Sequence, residues 1–402
     1  MARQASERRG LRISAEEFAA RRAALAAHVA ERGLSGCVLF DTHYISYYTG
    51  FAFIPTERPV AFALATDGRG GMLVPRLEVE HAQANAAVAE VAHYDEYPGE
   101  RHPMEALVEL LAAVGVRERL GADHDGYPWV FGYRGPSLGE LGSPPTPVAD
   151  LVEDQMAIKS DGELALLRES CKWANLAHTL LQRYTRPGVS ETEVTNRAST
   201  EATYAMLDAI GPIYRGQSPW FDGAIAGYRG QIGRNAAIPH ALPNNIVFQA
   251  GDVLVTGATA PVWGYHSELE RTMVIGPPSD DQRRMFDHML ALQDLAIAAI
   301  RPGVACAEVD RVVRGYYEQH GLWENWRHHV GHAIGLRYHE GPFLDRGDET
   351  VIQPGMVFTV EPGLYAPALG GFRHSDTIAV TRDGVEWLTY YPRDLESLTL
   401  PA

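Results

Sequence analysis

Two hydrophobic periods run along this chain, and the change from one to the other divides it. Residues 14–33 repeat at helical spacing, with Ser14 as N-cap, Glu17 three residues on and Gly33 as the stop. Short apolar runs at 36–40, 60–65 and 71–75 predict buried strands, and helical patterns return at 78–87 and 104–114. That alternation predicts a small α/β domain. The stretch 135–149 is rich in Gly, Pro and Ser and loses periodicity around Pro144-Pro145-Thr146-Pro147, which places a domain edge at 152. The expected domains are therefore 1–152 and 153–402.

Beyond the edge, 163–184 reads as a long helix ended by Arg186-Pro187-Gly188, and Ser190 with Glu193 opens another that runs to Leu207. After residue 220 the pattern turns to short β-rich segments at 252–255, 272–275, 357–360 and 377–380, interrupted by helices at 280–300 and 306–320. The second domain is thus expected to be α+β, with strands from distant sequence meeting around a site.

Composition narrows the function. No apolar run approaches the roughly 18 residues needed to span a bilayer, and the first twelve residues are basic and polar without an apolar signal core. A cytoplasmic protein with no membrane partner is the expectation. The net charge of -16 carries no offsetting basic stripe, which excludes nucleic acid as a partner. Cys37, Cys171 and Cys306 are scattered, form no CxxC pair and suggest no disulfide framework.

The candidate chemistry lies in six ordered segments. They are Ile238-Pro239-His240; Gly251-Asp252-Val253-Leu254-Val255; the run from Gly264 to Thr272; Gly331-His332-Ala333-Ile334-Gly335 with His339-Glu340; Val360-Glu361-Pro362-Gly363; and Gly370 to Thr377. Together they resemble the pita-bread family of creatinase, prolidase and aminopeptidase P. The resemblance implies an α/β N-terminal domain followed by an α+β pita-bread domain.

In the metallopeptidase members two divalent ions are held by Asp, Asp, His, Glu and Glu. Carried over residue by residue, those positions fall on Gly257, Glu268, His332, Glu361 and Ser375. Two carboxylates are missing, too few for a bridged pair of ions. The expectation is a site with no metal, or at most one divalent ion on Glu268, His332 and Glu361. Metal-free creatinase offers the pattern for the first case, since His240 stands eleven residues before Gly251 and Glu270 lies within Leu269-Glu270-Arg271-Thr272.

The resemblance implies His240 as general acid and base, with Glu270, Glu361 and His332 as further catalytic residues. Substrate contacts are expected from Glu268, His339, Arg373 and Ser375. Arg58, before Pro59, is expected to grip a substrate carboxylate in the neighbouring subunit of a homodimer. A structural ion pair with Arg271 or Arg373 is the competing reading of Glu270. The spacing of Glu268 and Glu270 puts both on one strand face, whereas His374 is turned away from the face that Ser375 shares. The expected activity is metal-independent, creatinase-like hydrolysis of a C–N bond in a small polar or zwitterionic molecule. The alternatives are an Xaa-Pro dipeptidase or aminopeptidase with one metal ion, a non-catalytic binding protein, and a lyase.

Overall fold

The computed structural model describes residues 11–402. They divide into Ile13–Met156 and a second unit of Ala157–Ala402 that also takes in Leu11 and Arg12; the sequence pattern put the edge at 152. Among the described residues no helix is long and apolar enough to cross a membrane.

The first unit begins with α1 (Ala15–Glu31), whose N-cap Ser14 accepts a hydrogen bond from Glu17 N at 3.1 Å, as the capping spacing predicts. Strands β1 (Gly36–Leu39), β2 (Ala61–Ala65) and β3 (Gly70–Pro75) pair antiparallel, and β4 (Glu90–Tyr94), β5 (Leu120–Ala122) and β6 (Thr146–Pro147) add in parallel. The order is β4-β3-β2-β1-β5-β6. Helix α2 (Thr42–Thr49), capped by Asp41, goes unannounced in the hydrophobic pattern because it is so short. Helix α3 (Pro103–Val114) covers one face of the sheet, packing Leu107 and Leu110 on Val38 and Leu73.

The second unit opens with α4 (Asp161–Tyr184) and α5 (Glu191–Ile210). Ser160 with Glu163 closes a full capping box on the first, and Ser190 caps the second. Its large sheet is antiparallel throughout its named pairs. It comprises β7 (Ile225–Gly227), β9 (Gly257–Thr259), β10 (Leu269–Glu270), β12 (His332–Ala333), β13 (Glu340–Phe343), β14 (Val357–Val360), β17 (Ser375–Val380) and β18 (Val385–Trp387). The path is β13-β12-β14-β17-β10-β9-β7, with β18 on the side of β17. A three-stranded sheet of β8 (Val253–Val255), β11 (Thr272–Ile275) and β19 (Thr399–Leu400), and a hairpin of β15 (Gly363–Ala366) with β16 (Gly370–Arg373), complete the β structure. Helices α6 (Asp280–Ala299) and α7 (Cys306–Gln319) pack Phe286, Met289 and Val313 into the same core.

This order decides where the chemistry lies. Strands β12, β14, β17, β10 and β9 are consecutive neighbours. Their starts and ends therefore bring His332, Glu361, Ser375, Glu268 with Glu270, and Gly257 to one region, although the residues span more than a hundred positions of sequence.

Candidate active site

The centre of the site is built by backbone anchoring. Glu268 is fixed on both sides by Thr377, whose hydroxyl accepts from Glu268 N at 2.9 Å and donates to Glu268 O at 2.8 Å. His332 N donates to the Thr359 hydroxyl at 3.1 Å, and Glu361 N to Val330 O at 2.7 Å. Gly331 is required ahead of His332, since a Cβ there would lie 2.1 Å from Thr359 O.

Glu268, His332 and Glu361 present ligand atoms that all lie within 4.8 Å of one another. His332 Nδ1 donates to Ala333 O at 2.9 Å, which fixes the ring and its tautomer. Its buried Nε2 faces Glu361 Oε1 at 3.2 Å but has no aligned hydrogen-bond partner. Burial opposes the imidazolium there, yet the carboxylates of Glu361 and then Glu268 outweigh it and raise the His332 pKa to about 9. Burial, and then repulsion from Glu361 and Glu270, pushes the Glu268 carboxyl up to about 7. Burial works against the Glu361 carboxylate too, but His332 and Arg373 hold it well below the usual range.

These residues fit one divalent ion and do not fit two. Two carboxylates and an imidazole, with one nitrogen buried and unaligned, form a hard donor set of suitable spacing. The remaining ligand positions are filled differently. A Cβ built on Gly257 points at Glu270 Oε1, 3.7 Å away, and at Arg229 Nε, 4.0 Å away. Ser375 is fully buried and donates to Glu268 Oε1 at 2.7 Å. Guanidinium charge thus occupies the space beside Gly257, and a hydroxyl stands where the last carboxylate belongs.

Several expected roles change as a result. Glu270, expected to be catalytic, is buried and accepts from Arg229 Nη2 at 2.6 Å and from Arg373 Nη2 at 2.9 Å on one oxygen, and from Arg373 Nε on the other. Both oxygens are engaged by arginines, and the pairing with Arg373 is one of the two ion pairs named as the competing reading of this residue. Arg373, expected to hold substrate, is buried, bound to Glu270 and donates Nη1 to the Tyr365 hydroxyl at 2.9 Å. Ser375, expected to touch substrate, donates its hydroxyl to Glu268. His374 is buried on the other side, accepting from Thr272 N at 3.2 Å and facing Arg393 O at 3.0 Å, as strand alternation requires. Arg58, in the other unit, already binds Glu96 through Nε at 2.6 Å and Nη2 at 3.1 Å, and Glu57 through Nη1 at 2.5 Å.

A cavity of about 750 Å³ adjoins the cluster and is lined by Glu268, Glu270, Arg229, His240, Tyr338 and His339, among others. His240 is exposed at its wall, after the short helical turn Gly233–Ala237. The His339 ring stacks on His332 with centroids 3.9 Å apart, and burial together with the neighbouring His332 charge lowers its pKa to about 4. Arg229 and Tyr365 are functional candidates that the motifs did not reveal. The only local signal for Arg229 is its place before Gly230, which reads as a turn.

Residues 165–382, more than half the chain, match Metallopeptidase family M24, and residues 21–134 match the Creatinase/Prolidase N-terminal domain. Among curated relatives, the Xaa-Pro dipeptidase of Pyrococcus horikoshii is 32% identical over 249 residues, 62% of this chain and 67% of the relative. Among solved structures, the Xaa-Pro dipeptidase from Bacillus anthracis shares 26% identity and a TM-score of 0.78, covering 97% of this chain and 100% of that one. Dipeptidase PepE from Mycobacterium ulcerans shares 26% identity and a TM-score of 0.79 over the same proportions. The two-domain architecture, with a pita-bread second domain, is the one these relatives have. The metallopeptidase match also overturns the expectation of a cofactor-free, metal-independent site. The reason lies in the cluster: the three retained donors, read from sequence as holding at most one ion, converge within 4.8 Å.

Proposed function

The chain belongs to metallopeptidase family M24, hydrolases of C–N bonds, and from that premise we propose that it cleaves short peptides of the Xaa-Pro kind around a single divalent ion. The observation that carries this reading is the convergence of Glu268, His332 and Glu361 within 4.8 Å beside a cavity of about 750 Å³. The creatinase-like reading needs Glu270 as a catalytic residue, and that carboxylate is engaged by two arginines.

Glu268, His332 and Glu361 would hold the ion, with manganese, cobalt and zinc as the suitable metals. When bound, such an ion polarises a carbonyl oxygen and lowers the pKa of a coordinated water. The protein's own groups do the rest. His240, at the cavity wall, is assigned the transfer of a proton to the departing nitrogen. His339, neutral at pH 7, is assigned a hydrogen bond to the substrate. Ser375 and Thr377 hold Glu268 in place, and Ala333 O holds the His332 ring. The setting is taken to be cytoplasmic, in keeping with three free, buried cysteines. A homodimer with Arg58 reaching the neighbouring site remains part of the proposal, and a substrate carboxylate there would have to compete with Glu57 and Glu96 for that guanidinium.

The test is an assay of protein loaded with manganese, cobalt or zinc on Xaa-Pro dipeptides, Xaa-Pro tripeptides and dipeptides lacking proline. Release of free proline is expected. No hydrolysis of any Xaa-Pro substrate with any of the three metals would overturn the reading.

A further inference from the structure

Arg229 stands against the preference of its own backbone. Gln231 N donates to Tyr228 O at 2.8 Å, closing a tight turn, and the two central residues have φ of +50° at Arg229 and +73° at Gly230. Turns with both central residues at positive φ favour Asn, Asp or Gly first, because a larger side chain crowds the left-handed backbone. An arginine at such a place is the kind of local strain that accompanies a functional demand.

The demand is visible in what surrounds it. Arg229 Nη2 is held by Glu270 Oε1 at 2.6 Å and by Gln231 Oε1 at 3.2 Å. No hydrogen-bond partner is present for Nε or Nη1 among the described residues. The side chain remains 46% exposed, and Arg229 is the only Lys or Arg among the described residues lining the cavity. Arg373 is shared between Glu270 and Glu361, at 3.7 Å from the latter, whereas Arg229 meets Glu270 through Nη2 alone and turns its remaining nitrogens to the cavity side.

We infer that Arg229 receives the free carboxylate of the substrate and so sets the enzyme's preference for dipeptides. This rests on the peptidase reading above. Glu268 and Glu270 are two residues apart in extended backbone, about 7 Å, which is about the length of two extended peptide residues. A carboxylate beside Arg229 therefore leaves the preceding peptide bond toward Glu268 and the ligand cluster. In a longer peptide the same place would receive an uncharged amide. Glu270 is the positioning residue, tethering the guanidinium without touching substrate.

Arg229→Asn tests this, since Asn suits the turn and removes the guanidinium; the thermal midpoint should equal or exceed that of the wild type. On Xaa-Pro and Xaa-Pro-amide, the wild type should favour the free acid by about 10- to 100-fold in kcat/KM, the range of a charge-assisted hydrogen bond. The variant should lose that preference, chiefly through KM on the acid, with cleavage of the amide little changed. Calorimetric titration with proline and prolinamide reads the same contact without turnover. The wild type should bind proline more tightly, and Arg229→Asn should bind the two alike. If neither peptide is cleaved by the wild type, the peptidase reading fails and calorimetry still decides the role of Arg229. Equal affinity of the wild type for proline and prolinamide, or a preference retained by a folded Arg229→Asn protein, overturns the inference.

Discussion

The Ser375 hydroxyl donates a 2.7 Å hydrogen bond to Glu268 Oε1, so the residue that replaces one family ligand orients another. A buried donor of this kind fixes which oxygen of Glu268 is left to bind an ion. Ser375→Ala should weaken the affinity for manganese by about 10-fold, the usual scale for a group that supports a ligand. Ser375→Thr should restore most of it. Competition with a fluorescent chelator measures both, and an unaltered affinity in the alanine variant would show that the bond does not matter to the metal.

The donor geometry also predicts stoichiometry. Protein loaded with excess manganese and then desalted should retain one ion per chain by elemental analysis, and His332→Ala should retain close to none. Two retained ions per chain in the wild type would remove the single-ion reading, since Gly257 and Ser375 offer no carboxylate for a second.

His240 carries the proposed proton transfer without holding the ion. His240→Ala should lower kcat on an Xaa-Pro dipeptide by about 10²- to 10⁴-fold while metal content stays unchanged. Steady-state kinetics paired with elemental analysis separates this outcome from loss of the ion.

Arg271 is wholly buried and ties the two strands that carry most of the site. It donates to Asp376 Oδ1 at 2.8 Å, to Ser375 O at 3.1 Å, to Glu270 O at 2.7 Å and to Pro392 O at 2.8 Å. Arg271→Ala would take the ion-pair partner from the buried Asp376, at a cost of about 3–5 kcal/mol. Chemical denaturation should show the loss, and a change below 1 kcal/mol would place the pair among weak surface-like contacts.

His178 predicts the acid limit of stability. It is fully buried, with Nε2 2.7 Å from the Thr256 hydroxyl, and burial, followed by the charge of Arg271, lowers its pKa to about 3. Unfolded, the imidazole takes a proton near pH 6.5, so between that value and about 3 the unfolded chain binds more protons than the folded one. The stability from keeping it neutral is present above pH 6.5 and is lost as pH falls. The loss from pH 7 to pH 5 should be about 2 kcal/mol. His178→Gln should flatten this part of the stability–pH curve; an equal slope in both proteins would assign the acid sensitivity elsewhere.

Local chemistry was legible in the chain and long-range chemistry was not. Ser14 with Glu17 and Ser190 with Glu193 announce helix starts because the cap and its partner are three residues apart. The motif order located His332, Glu361 and Glu268 because family spacing survives even where ligands are lost. Strands of two residues, Leu269–Glu270 and His332–Ala333, have no period to read and exist through pairing with distant neighbours. Arg373 could read as a substrate clamp or as the partner of Glu270, since sequence alone does not decide a pairing across 103 residues. Arg229 carried no motif, and its meaning appears only when Glu270, 41 residues on, is beside it.

The absent side chain at Gly257 makes the departure from a two-ion site hard to reverse. Gly257→Asp alone would bring a new carboxylate toward Glu270 and Arg229, where it would join an ion pair and recruit no metal. Ser375→Glu alone would forfeit the bond that orients Glu268. Each single reversal disturbs a contact on which the present site is built, the Glu270–Arg229 pair in one case and the Ser375–Glu268 bond in the other. A laboratory lineage selected for a second ion would have to alter Gly257, Ser375 and the Glu270–Arg229 pair together.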